Sequence, residues 1–126
     1  MSRAYVDSSV LVAILLGEPD ASRHGDRLSG FSRVSSSELL DAEFRSVCRR
    51  ENRPVPPELL REIQFVSAPR ALTPEIVRVL NAGYVRGADC WHLATALYLA
   101  PDPSDLIFLT LDDRQREVAI ALGFAV

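Results

Sequence analysis

A chain of 126 residues, 48% hydrophobic and 25% charged, has the size and composition of one globular domain, so a single unit over 1–126 with one core is expected. The net charge of −3 argues against a broad basic surface that grips nucleic acid through phosphates alone, and all 14 basic residues are Arg, which excludes chemistry that needs a lysine. The longest apolar run, 10–16, is far short of the roughly 20 residues of a membrane span, and Asp7 interrupts any signal-peptide core, so a cytoplasmic protein without a membrane partner is expected.

Ala4-Tyr5-Val6 reads as a short strand leading into a helix over about 9–16, which Gly17 and Pro19 terminate. Asp20 can cap a second short helix ending near Gly30, and 31–34 reads as a strand. Ser35 with Glu38 makes a capping-box pattern for a helix to about Asn52. Pro57 opens a helix to about Val66, and Thr73-Pro74-Glu75 opens another that Gly83 closes. A helix over 88–99 follows, and then 106–109, a continuous apolar run suited to a strand covered on both faces. Asp112 or Asp113 caps the last helix, and 124–126 adds a final strand. Strands separated by helices imply a three-layer α/β/α sandwich with a mainly parallel central sheet. Cys48 and Cys90 are far apart with no C-x-x-C spacing, which points to reduced, packed thiols rather than a zinc site.

In such sheets ligands bind beyond the carboxyl ends of the strands, and Asp7 and Asp112 each follow a predicted strand. Taken singly, Asp7, Asp89 and Asp112 also read as helix caps. Glu43 does not. It lies in mid-helix, four residues from Leu39 and Val47 and three from Leu40, within the apolar stripe, whereas Glu38, Asp41, Arg45 and Arg49 follow a separate, solvated face. A carboxylate facing a core is costly unless it is paired with a cation, such as an Arg, or holds a metal. Asp89 repeats the pattern four residues before Leu93. Gathered carboxylates repel by about 4 kcal/mol per pair at ~4 Å and an effective dielectric near 20. A divalent cation removes that repulsion, and an all-oxygen donor set suits Mg²⁺ or Mn²⁺, which can activate water for phosphodiester cleavage.

The chain resembles PIN-domain ribonucleases, and specifically the VapC toxins of bacterial type II toxin-antitoxin pairs. The resemblance rests on Tyr5-Val6-Asp7-Ser8-Ser9-Val10-Leu11-Val12, on 35–50 with Glu43-Phe44-Arg45 at its centre, on Asp89-Cys90-Trp91-His92-Leu93-Ala94-Thr95-Ala96-Leu97, and on Leu109-Thr110-Leu111-Asp112 with Ala121-Leu122-Gly123. It implies a PIN-like sandwich and an endoribonuclease whose Asp7, Glu43, Asp89 and Asp112 surround Mg²⁺, with Mn²⁺ as a substitute. Thr110 matches the hydroxyl residue two positions before the last acid, where it would assist a metal-bound water or ligand. Asp113 departs from the commoner small or neutral residue beside that acid, and Ser8 joins Thr110 and Asp113 as a secondary position. The resemblance further implies RNA as substrate, a homodimer, and a cognate VapB-like antitoxin whose tail enters the acidic groove. Arg49, Arg50, Arg53 and Arg86 are candidates for phosphate contacts. His92 reads as a packed or hydrogen-bonded helix residue, and Ser9 and Ser36 as helix caps or groups orienting water.

Two other classes compete. A receiver-like magnesium-binding signalling domain also places acids at strand ends, but it requires a lysine; an aspartyl phosphatase wants a second Asp where Ser9 stands, and a lysine as well. A PIN-like module that has lost catalysis and only binds is opposed by the presence of all four acids.

Overall fold

The structure, a computed structural model, describes residues 2–126. Arg3–Val6 (β1), Arg33–Ser37 (β2), Ile63–Val66 (β3) and Ile107–Leu109 (β4) form one sheet of order β3-β2-β1-β4, parallel throughout. The helices are Ser8–Leu15 (α1), Ala21–Ser29 (α2), Glu38–Arg50 (α3), Pro57–Arg61 (α4), Thr73–Ala82 (α5), Gly87–Leu99 (α6) and Asp113–Leu122 (α7). Alternation along the central strands divides the core into two layers. Ala4, Val6 and Leu109 pack with Val10 and Leu11 of α1 and with Leu40, Phe44 and Cys48 of α3. Tyr5 and Phe108 point the other way, among Val79 of α5, Leu93 and Leu97 of α6, and Val118 of α7. The expected α/β/α sandwich is therefore the architecture found, with both faces of the sheet covered.

Four elements depart from expectation. The helix expected over 57–66 stops at Arg61, and Ile63–Val66 is instead β3, paired from Val34↔Ile63 to Ser37↔Val66. Its apolar residues favour either state, and the open edge of β2 decides for a strand. The strand expected over 31–34 lies two to three residues later, taking in Ser35, Ser36 and Ser37, so the Ser35–Glu38 capping box does not form. Glu38 opens α3 with Ser37 as its cap, and the buried Ser36 hydroxyl donates to Val6 O at 2.6 Å, tying β2 to β1. Asp20 caps α2 in position but without a side-chain bond. The final strand shrinks to one parallel bridge, Ile107↔Ala125, reached after Gly123 turns the chain with φ 106°. Cys48 and Cys90 are free and buried, as packed thiols should be.

Candidate active site

From β1 the chain proceeds outward through β2 to β3, and β4 then returns to the opposite side of β1. This reversal opens a crevice beyond the carboxyl ends of β1 and β4, the position where open parallel sheets bind ligands. Asp7 directly follows β1 and Thr110 directly follows β4. The register Val6↔Leu109, continued by the Asp7 N–H donating to Leu109 O at 3.1 Å, sets the two side by side.

Asp7 is the N-cap of α1 and at the same time the buried floor of this crevice. Its Oδ1 accepts from the Ser9 N–H at 3.2 Å and from the Ser9 hydroxyl at 2.6 Å, while its Oδ2 accepts from the Thr110 hydroxyl at 3.0 Å. Burial nonetheless pushes its carboxyl up to about 6, against the lowering by Ser9, His92 and Thr110, and the charge of Asp89 pushes the same way as burial. Thr110 is a junction, because its hydroxyl also accepts from the Asp112 N–H at 3.0 Å. Ser9, rather than Ser8, is the serine that touches the acid; its hydroxyl also accepts from the Leu111 N–H at 2.9 Å.

Glu43 lies at the margin of the α3 stripe rather than within it: Leu40, Phe44 and Cys48 are buried, and the Glu43 side chain is 30% exposed. Its partner is not an Arg. His92 Nε2 stands 2.7 Å from Glu43 Oε1, and His92 Nδ1 stands 2.7 Å from the Tyr5 hydroxyl. The Tyr5 oxygen already accepts from the Ser37 N–H at 3.1 Å, so its one proton is assigned to His92 Nδ1. That leaves the imidazole proton on Nε2, donated to Glu43. A chain Ser37–Tyr5–His92–Glu43 thus crosses from one helical layer to the other over the sheet edge and fixes the carboxylate. Desolvation raises the Tyr5 hydroxyl to about 12, so it remains a donor throughout the physiological range. Two-bond ¹H–¹⁵N correlations are expected to show His92 as the Nε2–H tautomer, and Tyr5→Phe should abolish that preference; an Nδ1–H pattern in the unaltered protein contradicts the assignment.

Asp89, in the first turn of α6, is half-buried. Burial raises its carboxyl, and the charges of Asp112 and Glu43 raise it further, against Arg86 and His92. Asp89 is therefore near enough to Asp7, Glu43 and Asp112 for charge to act between it and each of them. Asp112 accepts from the Gln115 N–H at 2.7 Å as the N-cap of α7, whereas Asp113 is exposed in the first helical turn. Gln115, fully buried, ties the two helices together by donating its side-chain amide to Asp89 O at 3.2 Å.

Among the described residues, no three His, Cys, Asp or Glu side chains form a set that could hold a metal ion as they stand. The donor chemistry still fits one. The available groups are carboxylate oxygens, both nitrogens of the one nearby His are engaged, and the Asp7 and Asp89 carboxyls are raised first by burial and then by neighbouring carboxylates, both of which a bound cation would offset. A hard divalent cation would be held by Asp7, Glu43, Asp89 and Asp112. Of the arginines expected to meet phosphate, Arg86 lies beside Asp89, whereas Arg50 pairs with Glu51 at 3.2 Å and Arg53 donates to Leu15 O at 3.1 Å.

Tyr5 and Gln115 carry no reading as site residues from the sequence, whereas His92 is packed and hydrogen-bonded as expected and Ser9, expected as a cap or a group orienting water, donates to Asp7. The place of His92 beside the acids is signalled by its spacing, three residues after Asp89 and hence on the same helical face. Ser9, two residues after Asp7, has the spacing of an Asx-type cap, and Tyr5 has no local signal.

A parallel α/β/α sandwich with carboxylates collected at its topological switch point defines a class of proteins that work on a ligand at an acidic strand edge. The PIN-domain family profile matches residues 4–121, and the chain belongs to that family, whose members are generally metal-dependent nucleases. No match is found among curated proteins or among solved structures. Among the described residues no helix is long and apolar enough to cross a membrane.

Proposed function

We propose that this PIN domain is a Mg²⁺-dependent endoribonuclease, with Mn²⁺ as a working substitute, and the toxin of a type II toxin-antitoxin pair of the VapC kind. The observation that supports the nuclease reading is the charge interaction of Asp89 with Asp7, Glu43 and Asp112 beyond the carboxyl ends of the neighbouring strands β1 and β4. When bound, the cation supplies a Lewis acid for the phosphodiester and lowers the pKa of attacking water. The protein's own contribution is orientation. Ser9 and Thr110 fix both oxygens of Asp7, His92 holds Glu43, and the α7 N-terminus holds Asp112. Thr110 acts as a positioning residue between Asp7 and Asp112, while Ser8 and Asp113 lie outside this hydrogen-bonded set.

The toxin assignment, a VapB-like antitoxin and a cytoplasmic site of action rest on the sequence resemblance. A homodimer is supported in addition by an apolar surface on α5 and α6 and the loop between them, where Val77, Leu80, Tyr84 and Trp91 are 52%, 46%, 70% and 38% exposed.

Purified protein is expected to cut RNA with Mg²⁺ or Mn²⁺ and to stop in EDTA, and Glu43→Gln should lose most of that cleavage. Activity that persists in EDTA removes the metal mechanism. RNA binding without cleavage under any divalent ion favours a module that only binds. Expression should arrest growth, and co-expression of the product of an adjacent small gene should relieve it; arrest with no such relief removes the toxin assignment but leaves the nuclease.

A further inference from the structure

A groove of about 500 Å³ opens between α2 and the carboxyl end of β4, within the range of roughly 300–1,000 Å³ typical of ligand sites. Arg23, His24 and Arg27 of α2 and Arg116 of α7 line it, over the apolar side chains of Val10, Leu109 and Leu111. Thr110 also lines it, and the same Thr110 hydroxyl donates to Asp7 Oδ2. Arg116 is anchored here by donating from Nη2 to Thr110 O at 3.0 Å. Glu18 and Asp20 line the groove too, so three guanidiniums face two carboxylates.

Folding does not account for this arrangement. No residue of α2 is fully buried, and Arg23 and Arg27, four apart on one helical face, have no ion pair or side-chain hydrogen bond among the described residues. Arg45, Arg50, Arg70 and Arg114, by contrast, are each paired with a carboxylate. Of the arginines expected from the sequence to meet phosphate, Arg86 stays beside Asp89, but those of α3 lie less well. From Glu43, α3 runs on away from the sheet's carboxyl edge, which leaves Arg49 and Arg50 roughly 10 Å farther along the helix.

We propose that this groove is the track for a single-stranded RNA segment flanking the scissile bond, its phosphates met by Arg23, Arg27 and Arg116. An apolar floor beneath a guanidinium rim suits unstacked bases beside a charged backbone, whereas a duplex keeps its bases stacked inside and offers only its outer surface. The small excess of positive charge matches a chain that is acidic overall and must therefore hold RNA locally. The inference rests on the nuclease reading above and names the form of RNA it takes.

The test measures binding of a fluorescein-labelled single-stranded RNA by anisotropy, across a salt series, with Asp7→Asn as the uncleaving parent. Adding Arg23→Ala and Arg27→Ala should weaken binding about tenfold or more and flatten the slope of log K against log salt by about 0.7 per arginine. The pair Arg49→Ala and Arg50→Ala should leave both quantities unchanged. Substitution on a helix with no fully buried residue leaves thermal melting in place, which separates loss of the site from loss of the fold. Unchanged RNA affinity in the α2 variant overturns the proposal, as does an equal loss in the α3 variant. Loss confined to a poly-glutamate peptide, with RNA affinity intact, overturns it in favour of an acidic protein partner. RNA binding that depends on Arg23 and Arg27, in a wild-type protein that never cuts with Mg²⁺, sinks the nuclease reading alone and leaves the track standing.

Discussion

Asp7→Asn is expected to lower Mg²⁺-dependent RNA cleavage on the order of 10³-fold, about 4 kcal/mol of activation free energy, while making the metal-free protein more stable. The loss should exceed the 10–100-fold typical of groups that only orient a ligand, because the amide keeps the shape of Asp7 but gives up the charge that would hold the cation. The gain in stability follows from burial. The folded-state carboxyl is raised to about 6 from an ordinary value of 3.8, so the folded protein binds its proton more tightly than the unfolded chain does. Its contribution to stability is then full below pH 3.8, falls as pH rises through 6, and at neutral pH amounts to a cost on the order of 3 kcal/mol. A neutral amide at this position would carry no such cost, although it accepts one hydrogen bond fewer from Ser9 or Thr110. In EDTA at pH 7 the variant should melt above the parent, and the difference should shrink toward pH 4. Adding Mg²⁺ should stabilise the parent and not the variant. A variant that melts below the parent in EDTA removes the desolvation argument; one that cuts RNA as well as the parent removes Asp7 from the site.

The division between what could be read from the chain and what could not follows the range of the interactions. Asp7 and Asp112 are legible because strand-to-helix junctions carry local capping chemistry, and both turn out to be N-caps as well as members of the acidic edge. Glu43 is legible as a charge out of place on an amphipathic helix, yet its half-buried position and its partner are not. His92 lies 49 residues away from it, and Tyr5 lies 87 residues from His92. Pairings at such separations leave no periodic trace. The same holds for β3: residues 63–66 continue the apolar spacing of α4, and only the vacant edge of β2, set by strand order, makes them a strand. The arginines of α2 are a third case. In sequence they belong to an ordinary polar helix, and their meaning depends on α2 lying across from the end of β4.

The largest stability effect is expected from Phe108→Ala. Phe108 is fully buried at the centre of the layer shared by β4, α6 and α7, stacked on Tyr5 with ring centroids 5.3 Å apart and planes 7° from parallel, and tilted against Phe124 at 5.8 Å. Truncation removes an aromatic ring from a close-packed interior, a loss of about 3–5 kcal/mol from a total that for ordinary domains is roughly 5–15 kcal/mol. Tm should fall by roughly 10–20 °C. The position also bears on the site, because the ring walls one face of Tyr5, whose hydroxyl anchors His92 and through it Glu43. Ile63→Ala, in edge strand β3 and in the other core layer, removes buried apolar surface without touching that stack. At a temperature where both variants remain folded by circular dichroism, Phe108→Ala should cut RNA more slowly than Ile63→Ala, with the deficit in kcat rather than KM, since misaligned acids impair the chemical step more than substrate capture. Equal kcat in the two variants would mean that the aromatic stack serves stability alone and that His92 holds Glu43 without help from behind.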